Sequence, residues 1–187
     1  MEKKVLVILA DGFEEVEALA PADVLRRSGA AVTIAALGFE AGTGSVRGAH
    51  DIRVVCDALL SDVAEKAFDA IILPGGMPGA KNLRASALVK KVILDTFNRG
   101  GLVCAICASP AYVLAPAGVL DGRKATCYPG CESVAPGIAF TGERVVKDGN
   151  VITSAGPGTA LEFGLKISES LFGSDVSGIL RSGMLVR

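Results

Sequence analysis

Leu102-Val103-Cys104-Ala105-Ile106-Cys107-Ala108-Ser109-Pro110 is the stretch on which the fold turns. Its first five residues are apolar and follow Gly100-Gly101, so they read as a strand buried on both faces. Pro110 suits the first turn of a helix over Ser109–Ala117, ended by Gly118. A buried strand that passes at once into a helix is the repeating step of a parallel α/β sheet. Cys107 stands at the turn, where a nucleophile elbow places its residue, although the usual glycine pattern is missing. Unpaired N–H groups and the positive end of a helix both favour a thiolate. A pKa below the free-cysteine value of about 8.5 is therefore expected. The opposing reading is a small buried hydrophobe, the commoner fate of a cysteine, and placement alone leaves the two level.

Outward from this stretch the same step recurs. Val5–Ala10 reads as a buried strand and Glu14–Ser28 as a helix, with Val16, Leu19, Ala20, Val24 and Leu25 on one face and Gly29 as its stop. Ala31–Leu37 reads as a second strand. Phe39–Asp57 is a Gly-rich, charged excursion containing a strand-like Ile52–Cys56, which suits a small hairpin or loop. Ala70–Leu73 is a core strand ending at Pro74-Gly75-Gly76, and Ser86–Asn98 a helix. Ala125–Tyr128 reads as a short strand, and Ala139–Lys147 with Asn150–Ser154 as a hairpin about Asp148-Gly149. Thr159–Phe172 is the last long helix, and Val176–Leu185 a helical tail. No repeat, linker or low-complexity segment interrupts the pattern, so one domain over 1–187 is expected. Its sheet should be mostly parallel and covered on both faces, with ligands bound at the carboxyl ends of the strands.

Composition narrows the function. Half of the 187 residues are apolar, enough for a sizeable core, and 19 basic against 20 acidic residues leave a net charge of -1. No basic stripe stands out, which argues against a stable nucleic-acid partner. The apolar start is too short for a signal-peptide core or a membrane span, so a soluble, cytoplasmic protein is expected. Five cysteines, an odd number with no export signal, suggest reduced thiols.

In a parallel sheet three turns would share one end. Asp11-Gly12-Phe13-Glu14-Glu15-Val16-Glu17 follows the first strand, Pro74-Gly75-Gly76-Met77-Pro78-Gly79 the third, and the Cys107 turn the fourth. Gly75 and Gly76 allow close backbone approach, and their N–H groups could face an oxygen beside the sulfur; a tight loop is the plainer reading. Glu14, Glu15 and Glu17 form an ordinary acidic helix start. Glu17 differs by flanking the apolar face set by Val16 and Ala20. A carboxyl kept from water there would have a raised pKa, and could donate a hydrogen bond to a thiolate or act as general acid and base.

With these turns in view, the chain resembles the ThiJ/PfpI superfamily and, within it, the clade of the Parkinson disease protein deglycase. Residues 5–17 are similar to the family's opening strand and acidic turn, Leu73–Gly76 to its glycine turn, and Ala105–Ala108 to its cysteine elbow. Lys147–Asn150, Thr153-Ser154 and Gly156–Thr159 are similar to its closing hairpin and helix entry. The resemblance spans nearly the whole chain. It implies a flavodoxin-like three-layer sandwich, of the class I glutamine amidotransferase-like kind, and a homodimer. It places Cys107 as nucleophile, Glu17 as its protonated partner and proton shuttle, and Gly76 and Ala108 as oxyanion-hole donors. Arg27 and Arg47 match arginines that approach the site in relatives. The implied activity is a glyoxalase independent of glutathione, or a protein deglycase, acting on small 2-oxoaldehydes or their early adducts on protein. It needs no cofactor or metal.

One position departs from the family. Where many relatives carry a histidine near the cysteine, this chain has Tyr128, which could hydrogen-bond a substrate oxygen. The only histidine, His50, lies in the excursion and reads as an exposed loop residue. Ala108 after the cysteine, instead of the histidine of protease-like members, argues against peptidase or amidotransferase activity. Cys104 lies inside a strand and should point away from Cys107, so C-x-x-C is not read as a redox pair. Cys127 and Cys131 are read as reduced loop cysteines or as thiols that could resolve an oxidised Cys107. Cys56 matches no family feature, and the cysteines gather no zinc ligand set. A second functional class stays open: an oxidative-stress sensor or chaperone whose Cys107 becomes a sulfinate. Thiamine-precursor synthesis finds no phosphate-cradling motif.

Overall fold

The computed structural model describes residues 2–39 and 43–186. Part of the glycine-rich excursion, at 40–42, lies outside them. The chain opens with β1 (Lys4–Leu9), α1 (Glu15–Arg27) and β2 (Ala31–Ala36). The excursion holds an antiparallel hairpin, β3 (Ser45–Arg47) and β4 (Arg53–Val55). Then come β5 (Ala58–Leu59), α2 (Leu60–Val63), β6 (Ala70–Leu73), α3 (Gly79–Ala85), α4 (Ala87–Asn98) and β7 (Leu102–Ile106). A π-helical turn (Pro110–Leu114) and α5 (Ala115–Ala117) lead to β8 (Lys124–Ala125) and β9 (Ala139–Phe140). The chain closes with β10 (Val145–Asp148), β11 (Val151–Ser154), α6 (Ala160–Phe172) and α7 (Ser174–Gly183).

Seven strands form the main sheet in the order β10-β11-β7-β6-β1-β2-β5, all parallel except β10. Alternate side chains enter opposite layers. Leu6, Ile8, Ile71, Leu73, Val103 and Ala105 pack on one face with residues of α2, α3, α4 and the π turn. Val5, Val7, Leu9, Ile72, Cys104 and Ile106 pack on the other with α1 and α6. Both faces are thus covered, as solid apolar strands require, and the architecture is the flavodoxin-like three-layer sandwich. Chain order reverses between β1 and β6, so the crevice at their carboxyl ends is the topological switch point. Among the described residues no helix is long and apolar enough to cross a membrane.

Several sequence-based expectations need correction. The buried face of α1 is Ala18, Pro21, Ala22, Val24 and Leu25, with Glu15 and Glu17 also buried. Val16 is instead 50% exposed, and Leu19 is exposed too. The true stripe lies near the expected one on the helical wheel, and burial against α6 selects it. Gly164 lets α6 approach: a Cβ there would stand 2.9 Å from the Pro21 Cα. The expected Ser109–Ala117 helix is a π turn followed by three residues of α5. The expected strand Ala125–Tyr128 is only β8, and Ala139–Lys147 divides into β9, which pairs with β8, and β10, which pairs with β11.

Candidate active site

β7 delivers the chain into Cys107, whose φ is 64°. A non-glycine residue in the left-handed region costs about 1–2 kcal/mol, so its surroundings must hold it there. Three contacts do so. The Cys107 N–H donates to the Ser154 carbonyl of β11 at 2.9 Å, and the Tyr128 N–H donates to the Cys107 carbonyl at 2.8 Å. One residue past Ala108, the buried Ser109 hydroxyl donates to the Pro74 carbonyl at 2.6 Å. The last bond ties the cysteine turn to the glycine turn.

The glycine turn is in turn locked to the acidic turn. Glu14 and Glu17 occupy the N-cap and third positions of α1, where a capping box would join them to each other. Here the Gly75 peptide is inserted instead. The Glu14 N–H donates to the Gly75 carbonyl at 3.0 Å, and the Gly75 N–H donates to Glu17 Oε2 at 2.8 Å. Gly75 must be glycine: a Cβ would lie 2.8 Å from both Cys107 Cβ and Glu17 Oε2, and 3.0 Å from the Ala108 nitrogen. Gly76 must be glycine as well. Its φ is +84°, and a side chain would run into the Glu14 and Phe13 backbone.

Around the sulfur, the backbone N–H groups of Gly76 and Ala108 favour charge on Cys107, and the nearby Glu17 carboxyl opposes it. Glu17 is 0% exposed, and its Oε1 has no hydrogen-bond partner. Burial raises the Glu17 pKa to about 7, against the opposing pull of the Cys107 and Gly75 hydrogen bonds. The expected depression of the Cys107 pKa does not occur. Burial pushes the thiol up, and an ionised Glu17 pushes it further. The helix that was to supply a dipole is a single π turn with a three-residue extension, too short to compensate. Because an ionised Glu17 disfavours a thiolate at Cys107, the two groups titrate as a coupled pair. With the proton on Glu17, the carboxylate's repulsion is gone and the two N–H donors stabilise charge on sulfur.

The remaining candidates divide. The half-exposed Tyr128 ring lies against Gly156, where a Cβ would meet its Cδ2 at 3.2 Å, and the Tyr128 backbone is bonded to the elbow. Arg27 pairs with Asp23 at 2.8 Å on the exposed end of α1. Ten residues from Glu17, it is about 15 Å along the helix axis, outside this chain's own site. Arg47 pairs with Asp51 at 3.3 Å and lines a cavity of about 740 Å³ with Asp11, Leu37 and Asn82. Cys107, Glu17 and Gly75 do not line that cavity, so convergence of groups rather than cavity size locates the site. Cys104 is buried on the α1 and α6 face. Cys127 and Cys131 flank a turn closed by the Cys131 N–H to Tyr128 carbonyl bond at 2.9 Å.

Sequence reasoning missed Glu15 and set His50 apart from the site. Glu15 is buried, and its Oε1 accepts the His50 N–H at 2.8 Å and the Ile52 N–H at 3.4 Å. Its Oε2 lies 3.0 Å from His50 Nδ1. Gly48 makes room, because a side chain there would collide with the Glu15 carboxylate. Burial raises the Glu15 pKa, but the hydrogen bonds from His50 and the backbone outweigh it and hold the group low. The signal available in the sequence was Gly48 opposite an acidic helix start. Glu14, Glu15 and His50 are also the one group of three possible metal ligands among the described residues, all within 4.8 Å. Glu15 already spends its oxygens on the hairpin backbone and the imidazole, so the trio is a hydrogen-bonded cluster.

The sequence profile of the DJ-1/PfpI family matches residues 3–170. Protein dj-1beta of Drosophila melanogaster is 43% identical over 188 residues, covering 100% of this chain and 98% of that protein. A protein of Caenorhabditis elegans named glutathione-independent glyoxalase DJR-1.2 is 37% identical over 181 residues, covering 96% and 94%. The solved structure of oxidized Toxoplasma gondii DJ-1 superposes with a TM-score of 0.93 at 38% identity, covering 98% of each chain.

Proposed function

We propose, from the premise that this chain belongs to the DJ-1/PfpI family, that Cys107 is the nucleophile of a cofactor-free glyoxalase acting on 2-oxoaldehydes. Early glycation adducts on protein are the larger substrates of the same chemistry. The observation that carries the reading is the Gly75 N–H bond to Glu17, which locks the acidic turn to the glycine turn at a point where a Cβ would touch both Glu17 and Cys107. The relative named as a glutathione-independent glyoxalase supports it.

The steps follow from the groups present. With Glu17 protonated, the Cys107 thiolate adds to the aldehyde carbon and forms a hemithioacetal. Gly76 and Ala108 offer N–H groups to the developing oxyanion, and Glu17 supplies its proton. Glu17 then moves a proton from the former aldehyde carbon to its neighbour, leaving a thioester of a 2-hydroxy acid. Water cleaves the thioester and frees the thiol. A pKa near 7 suits a group that must both give and take protons near neutrality. Tyr128, joined to the elbow by its N–H, offers its hydroxyl to a substrate oxygen in this reading. The test is methylglyoxal consumption without glutathione by the parent, Cys107→Ser and Glu17→Ala. Both variants should lose it by about 100-fold or more, the contribution of a positioned proton-transfer group. Unchanged turnover by Glu17→Ala removes the carboxyl from the chemistry.

A second reading rests on the partial exposure of Cys107 beside the same donors. Two equivalents of peroxide would convert the thiolate to a sulfinate with release of two waters. Intact mass after mild peroxide should show a gain of two oxygens, absent in Cys107→Ser. We also propose a homodimer, with the exposed Val16 and Leu19 of α1 in its interface.

A further inference from the structure

We propose that His50 is the proton outlet of this site, carrying to solvent, by way of Glu14, the proton that each turnover releases at Glu17. The inference rests on the glyoxalase reading. A neutral 2-oxoaldehyde plus water gives a 2-hydroxy carboxylate and one proton; one carbon is oxidised, its neighbour is reduced, and no outside redox partner takes part. That proton must leave the site in every cycle.

The Glu17 carboxyl has no surface open to bulk water. Its side chain is 0% exposed, Oε2 is committed to Gly75, and Oε1 is buried. From there exposure rises in order through groups that bind protons. The Glu14 side chain, at the N-cap three residues before Glu17, is 15% exposed, and that of His50 is 67% exposed. After burial, the nearby Glu14 carboxylate also raises the Glu17 pKa, so the two carboxyls interact across the start of the helix. Glu14 Oε2 lies 3.5 Å from His50 Nδ1. Glu15 keeps the ring there, with Oε2 at 3.0 Å from Nδ1 and Oε1 on the His50 N–H at 2.8 Å. Glu15 is thus a positioning residue for the imidazole.

The charged groups around the ring agree with the role. Glu14 and Glu15 face it from α1, and Arg47 and Asp51, themselves an ion pair, share its hairpin. The Glu15 hydrogen bond and the two carboxylates raise the His50 pKa, and burial raises that of Glu14. Both shifts favour the protonated forms through which a proton would pass. His50 is the only histidine of the chain. It meets Glu14 and Glu15 from the β3–β4 hairpin.

The test measures methylglyoxal turnover at low buffer concentration for the parent, His50→Ala, His50→Gln and Glu14→Gln, with and without added imidazole. The rate of Cys107 alkylation by iodoacetamide monitors the elbow. Expected is a loss on the order of tenfold in each variant, below the usual range for a positioned proton-transfer group. Imidazole should restore both His50 variants, and alkylation of His50→Ala should match the parent. Parental rates in the His50 variants, or a loss that imidazole does not relieve, overturn the relay while leaving the glyoxalase reading intact. An inactive parent overturns both.

Discussion

At the scale of single residues, the site depends on what Gly75 lacks. A Cβ there would press on Cys107, Glu17 and Ala108 together. Gly75→Ala should still fold, at a cost of about 1–3 kcal/mol for overpacking. Displacing the reacting groups by about 1 Å should slow methylglyoxal turnover on the order of 100-fold. Parental activity in that variant would show that the three groups do not act together. Glu17 makes a second prediction through pH. Its pKa rises from 4.5 to about 7 on folding, so the folded state favours the protonated carboxyl. The parent should therefore lose stability as pH climbs through that window, by up to about 3 kcal/mol, relative to a variant that cannot ionise. Urea unfolding of the parent and Glu17→Gln at pH 4.5, 6 and 7.5 checks this: the variant should gain on the parent at each step up. That Cys107 and Glu17 lie together was legible in the sequence, because three turns after three core strands had to meet. The sign of the Cys107 shift was not, because burial beside a carboxylate is a fact of packing that no spacing records.

At the scale of elements, the β3–β4 hairpin does more than fill an excursion. The Gly12 N–H donates to the Arg47 carbonyl at 2.8 Å, the Ala49 N–H donates to the Phe13 carbonyl at 2.8 Å, and Glu15 gathers the loop. The hairpin therefore braces the start of α1 on which Glu14 and Glu17 stand. Glu15→Ala should cost about 1–3 kcal/mol by leaving the His50 and Ile52 N–H groups without their acceptor. It should also lower turnover more than it lowers Cys107 alkylation, measured on the same preparation. Element order was readable from apolar runs alternating with helical patterns, and a hairpin or loop in the excursion from its strand-like Ile52–Cys56. The phase of α1 was not, because Val16 and Leu19 fit a helical stripe as well as Ala18 and Ala22 do. Its true face is chosen by α6, nearly 150 residues away. The π turn after Cys107 was also hidden, since Pro110 and Gly118 mark the ends of any helical segment.

At the scale of the whole molecule, the sheet brings the acidic, glycine and cysteine turns to one crevice at the switch point. That arrangement was legible from alternating apolar strands and helices, and the parallel ladders realise it. What the surface binds was not legible, because exposed apolar residues appear only once the core has been assigned. If α1 forms a homodimer interface, light scattering should return twice the 19.1 kDa chain mass. Val16→Glu should shift the protein toward a monomer. The central claim, that Cys107 performs a glyoxalase reaction without glutathione, is tested most directly by lactate formation from methylglyoxal in glutathione-free buffer. The parent is expected to form one lactate for each methylglyoxal consumed, and Cys107→Ser none above buffer alone. Lactate formation by Cys107→Ser at the parental rate would contradict the claim.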